Sequence, residues 1–426
     1  MPGRTAKAAT VGLLTTTCLV TSAGVAWRAE AGPAVASDPA VIAEWNAIAA
    51  RTILTENATP IPASALYFGF VSLAVYDAVV AIEGGYEPYA EQRPVDAPAS
   101  SEAAAATAAY RVLSHYFPAS ADKLAADYSA SLADVPAGAG LVHGERVGEA
   151  AAAAIIQLRQ NDGRGAAVSL TVAPAPGVWR PTPDAFAPMA VPWLGFVAPL
   201  VLDSPTQLRL PGPDGLGTSA YAQDFAEVRA YGALEGSART PEQTETALFW
   251  NANPVLQYQV ALRVQVARRR LDIQSSARAF ALLGTTTADS LIACWRAKYD
   301  YAYWRPVTAI RLAATDGNPA TVPDPNWTPL VPTPPYPEYT SGHACVSGAA
   351  SGTFSHLFGA TSLDLMVSSS VTNTSRLYDT AAALDAETMK ARIWLGLHFR
   401  KAMTDGNRLG HRVADVGASR LFEPTG

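Results

Sequence analysis

The chain has 426 residues, 49% of them hydrophobic and 16% charged, with a formal net charge of −6. That length and apolar content can bury a large core, which excludes disorder as the resting state. The acidic balance, without a run of Lys and Arg or a basic stretch interleaved with aromatics, excludes a polyanion-binding surface and nucleic acid as a partner.

In chain order, residues 1–36 read as a secretory signal peptide. Arg4 and Lys7 precede an apolar run over 11–26, and small residues offer cleavage points at Ala29-Glu30-Ala31 and Ala34-Val35-Ala36. Its removal takes away Arg4, Lys7, Arg28 and Glu30, so a secreted, extracellular mature chain is more acidic still. Cys18 leaves with it. Cys294 and Cys345 remain, and an oxidising compartment permits a bridge between them without requiring one.

Val41, Trp45, Ile48 and Thr52 recur at helical spacing and predict a helix over 40–54. The apolar run 63–82 is long enough to cross a bilayer, but Asp77 and the flanking Glu83-Gly84-Gly85 make it a buried core helix, so no membrane span is expected in the mature chain. Ala-rich helices follow over 101–117, 119–133 and 142–161. A loop over 174–213 carries Pro181, Pro183, Pro188, Pro192, Pro199, Pro205 and Pro211. Helix resumes over 219–231 and after Thr240-Pro241-Glu242-Gln243, which supplies an N-cap, a first-turn proline and a capping-box glutamine. Further helices are predicted over 254–270 and 276–302. A second proline-rich loop, 319–337, leads to a Gly/Ala/Ser-rich helix starting at Ser341-Gly342-His343, and the last helices fall over 360–370, 379–397 and 404–419. Apolar and polar residues rarely alternate, no Asn-Gly hairpin stands between apolar runs, and no repeat is visible. The prediction is an all-α fold of packed helical bundles with long Pro-rich connecting loops. An N-terminal helical region, 37–235, and a catalytic helical region, 236–426, form one body.

Three stretches carry the chemistry: Lys298-x6-Arg305-Pro306, Thr340-Ser341-Gly342-His343 and Arg392-x5-His398. Three cations, two histidines and a Ser-Gly turn suit one tetrahedral oxyanion, for which guanidinium forks give paired donors. Lys298 and Arg305 are two helical turns apart and can converge, although ordinary solvated faces show the same spacing. Ser341 can donate its hydroxyl at a helix start whose free N–H groups favour an anion, Gly342 lets the backbone approach closely, and His343 can move a proton. The plainer reading makes Ser341 an N-cap and His343 a first-turn polar residue. Arg392 and His398 would point about 120° apart on one straight helix, so Gly396 marks a break that turns both inward. His398 could ligate a metal or attack phosphorus, or simply pack in the core beside Trp394 and Phe399.

In order and completeness these segments resemble the signature of the vanadium-dependent haloperoxidases and type 2 phosphatidic acid phosphatases. The wording is most similar to the soluble, secreted bacterial haloperoxidase-like branch. Trp295 three before Lys298, the run Tyr303-Trp304-Arg305-Pro306-Val307-Thr308-Ala309-Ile310, the approach Pro334-Pro335-Tyr336-Pro337-Glu338-Tyr339 and Gly396-Leu397-His398-Phe399-Arg400 all carry it. The resemblance implies a vanadate cofactor and, as reaction partners, hydrogen peroxide, a halide and a small organic acceptor. It casts Lys298, Arg305, Ser341, Gly342 and Arg392 as the oxyanion cradle, His398 as the axial vanadium ligand, and His343 with Lys298 as catalytic groups. Trp295 and Tyr336 would line a halide pocket. Two positions depart from the pattern: Ala402 stands where an aspartate follows the last histidine, and Thr340 where proline precedes Ser-Gly-His. Asp405, seven residues after His398, can replace that aspartate only if the backbone bends, and Asp289, nine before Lys298, is another candidate pocket partner. The same residues also suit a secreted acid phosphatase forming a phosphohistidine, or a non-catalytic oxyanion-binding protein.

Overall fold

A computed structural model describes residues 37–91, 95 and 97–425; the expected signal peptide over 1–36 lies outside them. The helices are α1 (Ala40–Ala50), α2 (Ile61–Glu83), α3 (Ser101–Tyr116), α4 (Ala121–Ala133), α5 (Ala139–Leu158), α6 (Ser219–Tyr231), α7 (Pro241–Phe249), α8 (Pro254–Arg269), α9 (Ile273–Tyr301), α10 (Pro306–Arg311), α11 (Gly342–Phe358), α12 (Ala381–Trp394) and α13 (Arg400–Arg420). Short polar residues set many of their starts. The side chains of Ser100, Thr218, Thr240, Asn253, Asp272, Ser341 and Thr380 each accept a first-turn N–H, and Thr240 with Gln243 completes the expected capping box.

The centre of the fold is α9, buried along almost its whole length, with α2 packed on it from the N-terminal half and α11 and α13 from the C-terminal half. Small residues allow the closest of these crossings. A Cβ on Gly410 of α13 would stand 2.3 Å from the Cys345 carbonyl oxygen, and one on Gly348 of α11 would stand 2.2 Å from that of Asn407. Backbone thus meets backbone, which fixes the start of α11 against α13. Among the described residues α2 is the one helix long and apolar enough to cross a membrane, and it is mostly buried inside the protein. Its Asp77 accepts the Tyr89 and Ala90 amides at 2.7 and 3.0 Å, satisfying a carboxylate inside the core.

One predicted helix is wrong. Within 360–370 the chain forms β1 (Leu365–Ser369), paired antiparallel with β2 (Thr374–Tyr378) so that Leu365 faces Tyr378 and Ser369 faces Thr374. Burial of Leu365, Val367 and Ser369 follows a period of two, and the turn uses Asn373 at φ 56° rather than an Asn-Gly pair. Gln257 of α8 reinforces the hairpin by donating to the Ser368 carbonyl at 3.2 Å.

The proline-rich loop 174–213 contains one short 3₁₀ turn, Pro192–Phe196, and otherwise acts as a strap. Its Trp179 amide donates to Ala302 O at 2.6 Å and its Ala190 amide to Pro335 O at 2.8 Å, while Gly212 N–H reaches Tyr339 Oη at 3.1 Å. Asp289 of α9 clamps it from inside, accepting the amides of Leu200, Val201 and Leu202 at 2.7, 2.7 and 2.8 Å. The strap therefore crosses both segments that frame the cationic pocket.

Candidate oxyanion-binding site

Lys298 lies near the end of α9, Arg305 caps α10, Ser341 and Gly342 open α11, and Arg392 sits in the last turn of α12. α12 stops at Trp394. Gly396 then takes φ 77°, its amide returning to Ile393 O at 2.8 Å, and the reversal brings His398 back towards Arg305 before α13 begins. No side chain would fit at that position: a Cβ on Gly396 would approach Gly232 O at 2.5 Å. Gly342 is also tight, with the Trp295 ring 3.1 Å from where its Cβ would be.

Lys298, Arg305, Ser341, Arg392 and His398 are all buried, whereas His343 is half-buried. Backbone carbonyls hold the cations. Lys298 Nζ donates to Pro337 O at 2.7 Å, Glu338 O at 3.2 Å and Thr340 O, so its three hydrogens all have partners and it contributes charge to the pocket rather than a free donor. Arg305 donates from Nε to Tyr336 O at 2.8 Å and from a terminal nitrogen to Leu397 O at 2.9 Å. Arg392 reaches Trp250 O at 3.3 Å and Asn251 Oδ1 at 3.2 Å. Its Nε is buried with no partner, a donor that a bound oxyanion would satisfy.

His398 is pinned from both sides. Its Nε2 lies 3.1 Å from an Arg305 terminal nitrogen and its Nδ1 3.1 Å from Glu338 Oε1, which also accepts the Phe399 amide at 2.9 Å. Burial, then the charges of Arg305, Lys298 and Arg392, hold His398 well below the ordinary histidine range. Burial and Arg392 do the same for His343, whose Nε2 sits 3.3 Å from Ala252 O. A neutral His343 donating from Nε2 to that carbonyl keeps Nδ1 as its basic nitrogen. Trp295 stacks obliquely on Tyr336 with ring centroids 4.9 Å apart, and Lys298 Nζ lies 5.5 and 5.0 Å from the two rings.

A family model described as the VCPO second helical-bundle domain matches residues 278–424, the stretch that contains all of these cations and both histidines. The vanadium chloroperoxidase of Curvularia inaequalis is 32% identical over 143 residues, a match that covers 28% of this chain and spans only 23% of that relative's length. This C-terminal stretch is thus similar to the second helical bundle of a vanadium chloroperoxidase. Solved structures share the fold over nearly its whole extent. A bacterial vanadium-dependent iodoperoxidase superposes with a TM-score of 0.78 at 22% identity, covering 92% of this chain and 98% of that one. A holo-type bacterial vanadium-dependent chloroperoxidase gives 0.70 at 19% identity, covering 90% and 97%.

Two sequence expectations need correction. Asp289 is not a pocket partner: it is buried, and both of its oxygens are spent on the strap amides. Asp405 does not stand behind His398, since it accepts from Tyr339 Oη at 2.8 Å and pairs with Lys401 at 2.8 Å. The carboxylate at His398 is Glu338. It stands in the Pro-Pro-Tyr-Pro-Glu-Tyr run, where it reads as part of a stiff approach because 60 residues separate it from the histidine. Ala402, at the aspartate's usual place, instead accepts the Ser341 amide through its carbonyl at 3.2 Å. Cys294 and Cys345 are free and buried, and the Thr340 hydroxyl lies 3.4 and 3.3 Å from their sulfurs.

Burial, with help from Arg305, pushes Lys298 down to about 8. An anion binds the ammonium form, so its affinity falls as pH rises through that value. Sulfate, which does not titrate there, should bind more weakly at pH 9 than at pH 7 in calorimetric titrations. Lys298→Met should bind more weakly at pH 7 and show a shallower fall; a wild-type affinity unchanged across the window would contradict this assignment.

Proposed function

We propose that the chain is a vanadate-dependent haloperoxidase, oxidising a halide with hydrogen peroxide to a hypohalous-acid-type halogenating species. The reading is carried by one observation: a buried His398, with Nε2 3.1 Å from Arg305, beside three cations, none of which forms a salt bridge with a carboxylate among the described residues. Arg305, Arg392 and Lys298 would neutralise vanadate, the orphaned Arg392 Nε, the Ser341 hydroxyl and the Gly342 amide would donate to its oxygens, and His398 Nε2 would ligate vanadium. Bound vanadate supplies Lewis acidity towards peroxide at constant oxidation state. His343 Nδ1 takes the proton that hydrogen peroxide loses, and the Trp295 and Tyr336 rings give a weakly hydrated halide an apolar approach beside the Lys298 charge. The reading includes export, with residues 1–36 as the signal peptide.

The same donors would serve phosphate hydrolysis, with His398 Nε2 as nucleophile and His343 protonating the leaving oxygen. The test is direct. The purified chain, loaded with vanadate, is assayed for peroxide-dependent halogenation of a phenol across iodide, bromide and chloride, and without vanadate for hydrolysis of a chromogenic phosphate. Halogenation supports the proposal; hydrolysis alone overturns it in favour of the phosphatase, and neither activity in favour of a non-catalytic oxyanion binder.

A further inference from the structure

The tautomer of His398 follows from its two neighbours without reference to any titration. Arg305 carries only donors, so the imidazole nitrogen 3.1 Å from it must offer a lone pair: Nε2 is unprotonated. In a neutral ring the hydrogen is then on Nδ1, 3.1 Å from Glu338 Oε1, and that oxygen accepts it. The same oxygen takes the Phe399 amide at 2.9 Å, which locks the carboxyl to the main chain next to the histidine. Both side chains are buried, at 2% and 1% exposure, so water cannot take over the role of acceptor.

We infer that Glu338 is the positioning residue of the pocket: it fixes His398 in the Nδ1–H form, which leaves the Nε2 lone pair, taken by Arg305 in this structure, for an anion that displaces that contact, and it performs from the loop before α11 the task left vacant by Ala402. A hydrogen-bond acceptor on the far nitrogen orients a ligating histidine and raises its basicity. The placement has a further effect. The main-chain carbonyl of Glu338 receives Lys298 at 3.2 Å and the neighbouring Pro337 carbonyl receives it at 2.7 Å. One short segment thus holds both the ligating histidine and a pocket cation, and links them to the helix start that carries Ser341 and His343.

This inference rests on the oxyanion-pocket reading, and the experiment separates the two. Protein labelled with ¹⁵N-histidine is examined by NMR without any anion, the His398 signals being assigned by their loss in His398→Gln. Wild type should show His398 as the Nδ1–H tautomer, and Glu338→Ala should populate the Nε2–H form. Vanadate affinity, measured by calorimetry, should fall about 10- to 100-fold in Glu338→Ala. Glu338→Gln, whose amide oxygen accepts the same two hydrogens, should keep the wild-type tautomer and stay within a few-fold of wild-type affinity. An unchanged tautomer and affinity in Glu338→Ala, or an equal loss in Glu338→Gln, would overturn the inference. If Glu338→Ala does not fold, an Nε2–H tautomer in wild type overturns it and an Nδ1–H tautomer retained in Glu338→Gln supports it. Failure of the wild type to bind vanadate would sink the pocket reading instead, whatever the tautomer.

Discussion

His398→Ala should lose vanadate binding by roughly a hundredfold or more, because removing one partner of a charged, buried contact costs up to about 3 kcal/mol. His343→Ala should bind vanadate within a few-fold of wild type yet lose about 10²- to 10⁴-fold in turnover, the range expected when a positioned acid or base is deleted. The asymmetry follows from the surroundings. His398 is buried with Nε2 directed at Arg305, whereas His343 is half-buried on the first turn of α11 and, among the described residues, tethered only to Ala252 O. Calorimetric titration with vanadate, alongside steady-state halogenation, measures both quantities. Equal affinities in wild type and both variants would refute the division of roles.

Asp289→Ala should destabilise the fold by about 3–6 kcal/mol, enough to unfold a marginal protein. Three strap amides lose their acceptor at once, and a buried donor left unpaired costs about 1–3 kcal/mol. Asp289→Asn should be milder. Its oxygen can still serve Val201 and Leu202, which share one carboxylate oxygen, leaving the Leu200 amide opposed to an NH₂ group. Urea denaturation would give the order wild type, Asn, Ala, with the Ala variant furthest displaced. A change under about 1 kcal/mol in Asp289→Ala would mean that the strap finds other partners.

Much of the helical framework could be read from local signals, since capping and spacing act over a few residues. Thr240 marked the start of α7, and the predicted span of α9 came to within three residues of its limits. The β hairpin was missed because only burial against α8 selects a period of two for 365–369, and that contact is not local. Within the pocket, Lys298, Arg305, Ser341, Arg392 and His398 converge because their three motifs sit on elements brought together by α9, α11 and α13. The charged pairings behind them were illegible. Asp289 and Asp405 lie near the motifs in sequence and face elsewhere, while Glu338 meets His398 across a fold reversal that depends on Gly396. Proximity along the chain was the wrong guide for a contact decided by a turn.

Holding three buried cations by carbonyl oxygens, with Glu338 as the acidic group at the histidine, leaves positive charge in the interior that a diffusible anion can offset. Any abundant tetrahedral anion then acts twice on the molecule, raising its unfolding temperature by mass action and excluding rivals from the same seat. On the proposed reading, inorganic phosphate would be a stabiliser and a competitor together, and vanadium loading would depend on the ratio of the two ions rather than on vanadate alone.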